Sequence, residues 1–107
     1  MPEKLLRFTT VEQAYPDKRE ALERARDFLE IARPYAAEKA AEQSSRCSQC
    51  GVPFCQVHCP LGNHIPDWLR LTAEGRLREA YELSAATSSM PEICGRICPQ
   101  DRLCEGS

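Results

Sequence analysis

The sequence predicts an all-α fold in which irregular loops carry the cysteines. Apolar residues recur at helical spacing in three segments, and no segment alternates apolar with polar residues as a half-buried strand does. All seven cysteines fall between residues 47 and 104, in two groups that each contain a Cys-Pro pair. The length of 107 residues suits one domain.

Residues 1–46 are predicted to form an N-terminal helical arm. Asp17 and Glu20 are placed as the N-cap and capping-box partner of a helix over residues 17–43. Pro34 either kinks this helix or begins a second one that extends to residue 43. The arm is interpreted as a packing helix, with a docking arm for a partner as the alternative. Its apolar stripe consists of Ala21, Leu22, Ala25, Phe28, Leu29 and Ala32.

Residues 47–107 are predicted to form a cysteine-rich, cluster-binding region of the same domain. Two short helices should separate its cysteine groups. The first covers residues 65–73, with Pro66 in its first turn and Gly75 able to cap its end. The second covers residues 76–86, and its apolar positions are Leu77, Ala80, Tyr81 and Leu83.

Charge and hydropathy exclude several classes of protein. The net charge of -2 does not favour nucleic-acid binding. The first residues lack the apolar region of a signal peptide, and no apolar run reaches the length of a membrane span. We therefore expect a soluble, cytoplasmic protein with no membrane or nucleic-acid partner. In such a reducing compartment, dense cysteines indicate metal or redox chemistry more often than disulfides.

The spacing of the cysteines is typical of iron–sulfur proteins. The two groups read Cys47-x2-Cys50-x4-Cys55-x3-Cys59-Pro60 and Cys94-x3-Cys98-Pro99-x4-Cys104. In two-cluster ferredoxins, the fourth cysteine of such a run binds the other cluster. By this logic Cys47, Cys50 and Cys55 bind one four-iron cluster. Cys59 then joins Cys98 and Cys104 on a second, and Cys94 is a further candidate ligand.

Zinc and disulfides are the competing interpretations of the cysteines. Structural zinc needs four ligands in simple paired spacing, and a disulfide framework suits a secreted chain with an even count. His58 and His64 are weaker candidates as ligands, since histidine replaces cysteine mainly in two-iron Rieske centres. A metal-stapled interaction module without a redox role is the rival function.

Three arginines flank the cysteine positions: Arg46, Arg96 and Arg102. Nearby cations favour the reduced form of a negatively charged cluster. The alternative is that these side chains are solvated or pair with Glu92 and Glu105. The sequence contains no P-loop, no dinucleotide fingerprint and no catalytic triad, so it shows no chemistry beyond electron transfer.

Two segments carry a resemblance to a known family. They run from Arg46 through Cys47 and Cys55 to Trp68, and from Pro91 through Cys98 and Cys104 to Gly106. They resemble the N-terminal iron–sulfur domain of the glutamate synthase small (beta) subunit. Dihydropyrimidine dehydrogenase carries a related N-terminal domain. The resemblance covers nearly the whole chain and implies an α-helical ferredoxin fold.

The resemblance also implies a role in an NADPH-dependent oxidoreductase. In glutamate synthase, the small subunit takes hydride from NADPH onto FAD. Electrons then pass through its 4Fe-4S clusters to the large subunit, which makes glutamate from glutamine and 2-oxoglutarate. The FAD and NADPH domains of that subunit would follow this chain, which is therefore interpreted as a fragment that is not catalytic by itself.

Two departures from the family pattern affect the expected ligands. Cys94 stands where many members have threonine, which implies a spare thiol. The chain stops at Ser107, and in the family another cysteine comes at the next position. We therefore expect two 4Fe-4S clusters that are incompletely ligated in this chain, each with three cysteine ligands and labile iron.

Overall fold

The structure is a computed structural model that describes residues 7–107. Residues 1–6, where the predicted arm begins, lie outside the described residues. The described part contains no β-strand, and its single β-type pairing is an isolated bridge between Lys18 and Ala32. None of its helices is both long and apolar enough to span a bilayer. The predicted all-α class is confirmed. The helices are α1 (Ala21–Arg24), α2 (Ala37–Ser44), α3 (Phe54–His58), α4 (Ile65–Ala73), α5 (Leu77–Ala85) and α6 (Pro91–Arg96).

Helix α4 lies at the centre of the packing. It packs against both α2 and α5, and it also contacts α3. Leu71 on α4 and Ala80 on α5 are buried, with 4% and 6% of their surfaces exposed. Burying a leucine side chain contributes about 1.5–3 kcal/mol. Among the described hydrophobic side chains, few are buried to this degree, so the apolar core is small.

Both short helices predicted in the cysteine region are confirmed as α4 and α5. Pro66 occupies the first turn of α4, where a missing N–H costs nothing. Gly75 ends that helix in the left-handed region, with a φ of 80°. The Gly75 N–H donates to the Thr72 carbonyl at 3.1 Å, and the Arg76 N–H donates to the Leu71 carbonyl at 2.8 Å. These two bonds form a Schellman motif, which turns the chain directly into α5.

The predicted helix over residues 17–43 is wrong. Helix α1 covers only Ala21–Arg24, and residues 25–36 are irregular. Neither Asp17 nor Glu20 caps it through a side-chain bond, since α1 begins after Glu20 without one. Of the two roles considered for Pro34, the start of a second helix is the closer, because α2 begins three residues later, at Ala37.

The side chain of Arg19 explains why the chain leaves the helical path. Its Nη2 lies 2.7 Å from Asp27 Oδ1, and its Nε donates to the Glu30 carbonyl at 2.7 Å. The Arg19 backbone N–H donates to the Ile31 carbonyl at 2.8 Å. Side-chain bonds to the backbone compete with helical bonds, and these contacts close residues 19–31 into a loop.

The apolar stripe expected to pack is therefore exposed. Phe28 is fully exposed, and Leu22 and Leu29 are 81% and 72% exposed. The interpretation as a packing helix fails for this segment, because its side chains no longer share one helical face. The alternative, a docking arm for a partner, stays a prediction.

The N-terminal segment is bound to the end of α2 by one side-chain amide and one guanidinium. Gln43 accepts the Ala14 N–H at 2.9 Å and donates to the Glu12 carbonyl at 3.0 Å. Arg46 Nε donates to the Val11 carbonyl at 2.8 Å. These contacts span about thirty residues of sequence, and they hold the end of α2 where the first cysteine follows.

We expect Gly75→Ala to lower the free energy of unfolding by about 1 kcal/mol, because a Cβ is disfavoured in the left-handed region. No atom lies within 4 Å of the position where that Cβ would sit, so the cost is conformational and not steric. Gly75→Asn should lose less, since asparagine tolerates this backbone. Denaturant unfolding measures both. An alanine variant as stable as the glycine protein would contradict the motif.

We expect Arg19→Lys to speed tryptic cleavage after Arg24 and Arg26 severalfold. An ammonium group cannot reproduce the forked donation of the guanidinium, so the loop opens more often. Arg78→Lys is the matched control, because Arg78 is 89% exposed and pairs only loosely, at 3.4 Å, with Glu82. Equal cleavage rates in the two variants would refute the role of Arg19.

Candidate iron–sulfur centre

One cavity of about 760 Å³ gathers most of the cysteines. Helix α4 supplies part of its wall through Ile65, Trp68 and Leu69, which are spaced three and four residues apart and so share one helical face. Both cysteine groups predicted from the sequence reach this cavity. Its six cysteines are Cys47, Cys55, Cys59, Cys94, Cys98 and Cys104.

Short helices and tight turns place the thiols of the first group. The Cys47 N–H donates to the Ser44 carbonyl, so the residue continues from the end of α2. Cys55 lies in α3, and Cys59 ends that helix with extended backbone, at a φ of -74°. Gly62 then adopts a φ of 58°, and its N–H donates to the Cys59 carbonyl at 2.9 Å. This turn reverses the chain towards α4.

The second group approaches from the other end of the sequence. Cys94 lies in α6, which ends at Arg96. Cys98 and Cys104 flank a 3-10 turn over Gln100–Arg102. Two cysteine loops that are more than thirty residues apart in sequence therefore face one another across a single cavity.

Cys50 is the one cysteine that does not line this cavity. It is exposed, in the loop between α2 and α3. Its thiol is still close enough to Cys55 for its charge to raise the pKa of the Cys55 thiol. The structure therefore brings six of the predicted cysteines together and leaves the seventh at the surface beside them.

Burial raises the pKa of the Cys55 thiol, and the neighbouring charges of Cys47 and Cys50 raise it further. Burial also raises the pKa of the Cys104 thiol, to which the charges of Cys98, Glu105 and Cys55 add. Both groups therefore hold their protons at neutral pH. Thiolates are the form that binds metal, so binding releases these protons and becomes more favourable as the pH rises.

Cys94 has a hydrogen-bond partner of its own. Ser88 Oγ lies 3.4 Å from Cys94 Sγ, and it also accepts the Met90 N–H at 3.1 Å. The first of these bonds joins the Cys94 side chain, in the second half of α6, to the segment that precedes the helix. The expectation that Cys94 is a spare thiol stays a prediction, because the residue also lines the cavity.

Neither histidine is among the residues that line the cysteine cavity. His58 is exposed, and its Nδ1 lies 2.8 Å from the Phe54 carbonyl oxygen. His64 immediately precedes α4, where its carbonyl accepts the Trp68 N–H at 3.1 Å. The interpretation of both histidines as weaker candidate ligands stays a prediction.

The flanking arginines differ in their surroundings. Arg46 lines the cysteine cavity, where its charge can offset that of thiolates. Arg96 instead pairs with Glu30 and, at 3.3 Å, with Glu92. The alternative considered for these arginines, pairing with a glutamate, is therefore correct for Arg96. The prediction for Arg102 stays open.

Two polar side chains that the sequence reasoning missed support the site. The Asn63 amide donates to the Ser84 carbonyl at 2.7 Å and to Thr87 Oγ1 at 2.9 Å, while its oxygen accepts Trp68 Nε1–H at 2.7 Å. Gln49 contacts a cysteine sulfur directly. No local pattern marks either amide, because their partners lie elsewhere in the fold.

The donor set fits iron–sulfur chemistry. Cysteine thiolates are the ligands of 4Fe-4S clusters, and each iron takes one ligand, so thiols spread around a cavity suit a cluster. All seven cysteines lie in the described part and are free thiols. Within residues 7–107, no group of three histidine, cysteine or acidic side chains converges on a single metal position.

The chain is similar to known proteins over nearly its whole length. The chain is 65% identical over 105 residues to the NADPH glutamate synthase small chain of Azospirillum brasilense, and 46% identical over 107 residues to that of Escherichia coli. These matches cover 98% and 100% of this chain, but 22% and 23% of the relatives. A putative oxidoreductase of Escherichia coli, AegA, is 48% identical over 93 residues.

The match to AegA covers 86% of this chain and 14% of that protein. The chain therefore spans less than a quarter of the length of these curated relatives. The chain also matches the model of a protein family. The matched residues include every cysteine and all of helices α2 to α6. Through residues 24–107, the chain belongs to the family described as dihydropyrimidine dehydrogenase domain II, 4Fe-4S cluster.

Proposed function

We propose that this chain is the iron–sulfur electron-transfer domain of a glutamate synthase small subunit. It would lie between FAD, reduced by NADPH in other domains of that subunit, and the large subunit, where glutamate is made from glutamine and 2-oxoglutarate. The observation that carries this proposal is the cavity lined by six cysteines. The relatives named as glutamate synthase small chains support the choice of enzyme.

The proposed ligands form two sets of three cysteines. Cys47, Cys50 and Cys55 hold one 4Fe-4S cluster, and the pKa of Cys55 responds to both of the others. Cys59, Cys98 and Cys104 hold the second. The charges of Cys98 and Cys55 both contribute to the raised pKa of Cys104, so Cys104 lies near a member of each set. Cys94 belongs to neither set and is a candidate fourth ligand of either cluster.

When bound, such clusters supply one-electron transfer without further chemistry from the protein. The chain's own residues hold the thiols and tune their surroundings. Arg46 places a positive charge on the cavity wall, which favours added electrons there. Ile65 and Leu69 make part of the wall apolar, which limits the access of water to the thiols.

The cellular setting follows from the thiols. Seven unpaired cysteines in 107 residues suit a reducing compartment, so we place the protein in the cytoplasm. The proposed partners are the FAD and NADPH domains of the same subunit and the large subunit. The relative named as a putative oxidoreductase indicates that related domains serve other enzymes too.

We expect the whole protein, purified without oxygen, to be brown and to bleach with dithionite. Iron and acid-labile sulfide should be present in equal amounts, near eight of each per chain if two four-iron clusters are bound. Metal and sulfide analysis measures this directly. Zinc in stoichiometric amount without sulfide would instead support a metal-stapled interaction module and overturn the proposal.

We expect Cys98→Ala and Cys104→Ala each to remove about half of the iron, because each takes a ligand from the second cluster. Cys94→Ala is the matched control, since it removes a thiol from the same cavity wall and is expected to leave the iron content unchanged. Iron analysis and low-temperature EPR of the reduced protein distinguish the variants. Equal iron loss in Cys94→Ala and Cys98→Ala would show that Cys94 is a ligand.

A further inference from the structure

We infer that Gln49 is a positioning residue that raises the reduction potential of the cluster bound by Cys47. The inference rests on the proposed function, because it requires Cys47 to be a cluster ligand. It concerns a side chain that lies between two cysteines in sequence but cannot itself bind iron as a thiolate does.

The contacts of the Gln49 amide carry the argument. Its Nε2 lies 3.2 Å from Cys47 Sγ and 2.8 Å from the Pro66 carbonyl oxygen. An amide nitrogen has two hydrogens, so both are used, one on each acceptor. Pro66 is buried at the start of α4, and its carbonyl therefore holds the amide with a hydrogen directed at the sulfur.

The backbone of Gln49 is unusual in a way that serves this contact. Its φ is 53°, and it is the one residue other than glycine with a positive φ in the described part of the chain. Residues with a Cβ seldom adopt this conformation, and Asn, Asp and His are enriched among those that do. Here it folds the side chain back over Cys47, two residues earlier.

The amide approaches the sulfur from outside the cysteine cavity. Gln49 and Cys47 both line a second cavity, of about 320 Å³, together with Ser44 and Arg70. Cys47 lines the cysteine cavity as well, whereas Gln49 is not among its lining residues. Cys47 therefore lies between the two spaces, and the amide contacts it from the side of the second cavity.

A donor on a ligating sulfur draws electron density from the thiolate. Added negative charge on the cluster is then better tolerated, so the reduced form is favoured and the potential rises. The other side-chain donor to a cysteine sulfur in the described chain is Ser88, on Cys94. Gln49 is thus the side chain that acts on a sulfur of the first proposed set.

The test is a redox titration, followed by EPR, of the whole protein carrying Gln49→Leu or Gln49→Gly. Leucine matches the volume, and glycine accepts the left-handed backbone, so the two variants separate the hydrogen bond from strain. We expect the equilibrium constant for reducing the cluster to fall about tenfold in both, which corresponds to about 59 mV for a one-electron couple. The affected signal should be the one that Cys47→Ala removes.

Gln56→Leu is the matched control, because Gln56 adjoins Cys55 but its side chain is not a donor to a cysteine sulfur, and its backbone N–H donates to the Pro53 carbonyl at 3.1 Å. The reduction potential of the Gln56→Leu variant should equal that of the unaltered protein. Unchanged reduction potentials in both Gln49 variants would overturn this inference but not the proposed function. Loss of iron from both Gln49 variants, with iron retained in Gln56→Leu, would do the same. If the unaltered protein has no iron–sulfur signal, the proposed function fails, and the inference fails with it.

Discussion

The packing of α4 against α2 and α5 is the interaction on which the rest of the structure depends. One face of α4 closes the cysteine cavity through Ile65, Trp68 and Leu69, while Leu71 on the same helix is buried. The first turn of α4 offers the Pro66 carbonyl to the loop that carries Cys47. A single nine-residue helix thus organises both the small apolar core and one wall of the site.

The fold places a thiol-lined cavity where many domains of this size have apolar packing. Few described hydrophobic residues are buried, and several large ones are exposed, including Phe54 and Val57 on α3. A core this small supplies little hydrophobic stabilisation. Metal binding by the thiols would then contribute to folding as well as to function, as it does in other small metal-dependent domains.

Side-chain amides perform much of the structural work around the site. Asn63 joins the α4 indole to the end of α5, Gln43 joins the N-terminal segment to α2, and Gln49 joins a cysteine loop to α4. Gln43 bonds backbone groups of an irregular segment, whereas Asn63 and Gln49 bond carbonyls of α5 and α4. Loops that must wrap a cofactor cannot bond to themselves as helices do, so these contacts replace secondary structure.

The sequence by itself determined the all-α class, the positions of α4 and α5, and the cysteine groups, because each depends on residues near one another in the chain. Helical spacing, Pro66 and Gly75 act within a few residues. Only the tertiary structure decided that residues 17–43 break into two helices and that the Pro66 carbonyl, 17 residues away, holds the Gln49 amide beside Cys47. The helical pattern there is real, but Arg19 bonds the backbone carbonyl of Glu30 and the side-chain carboxylate of Asp27 across the loop. Such contacts join residues that no local pattern relates, and their hydrogen bonds outweigh a propensity worth only a fraction of a kcal/mol per residue.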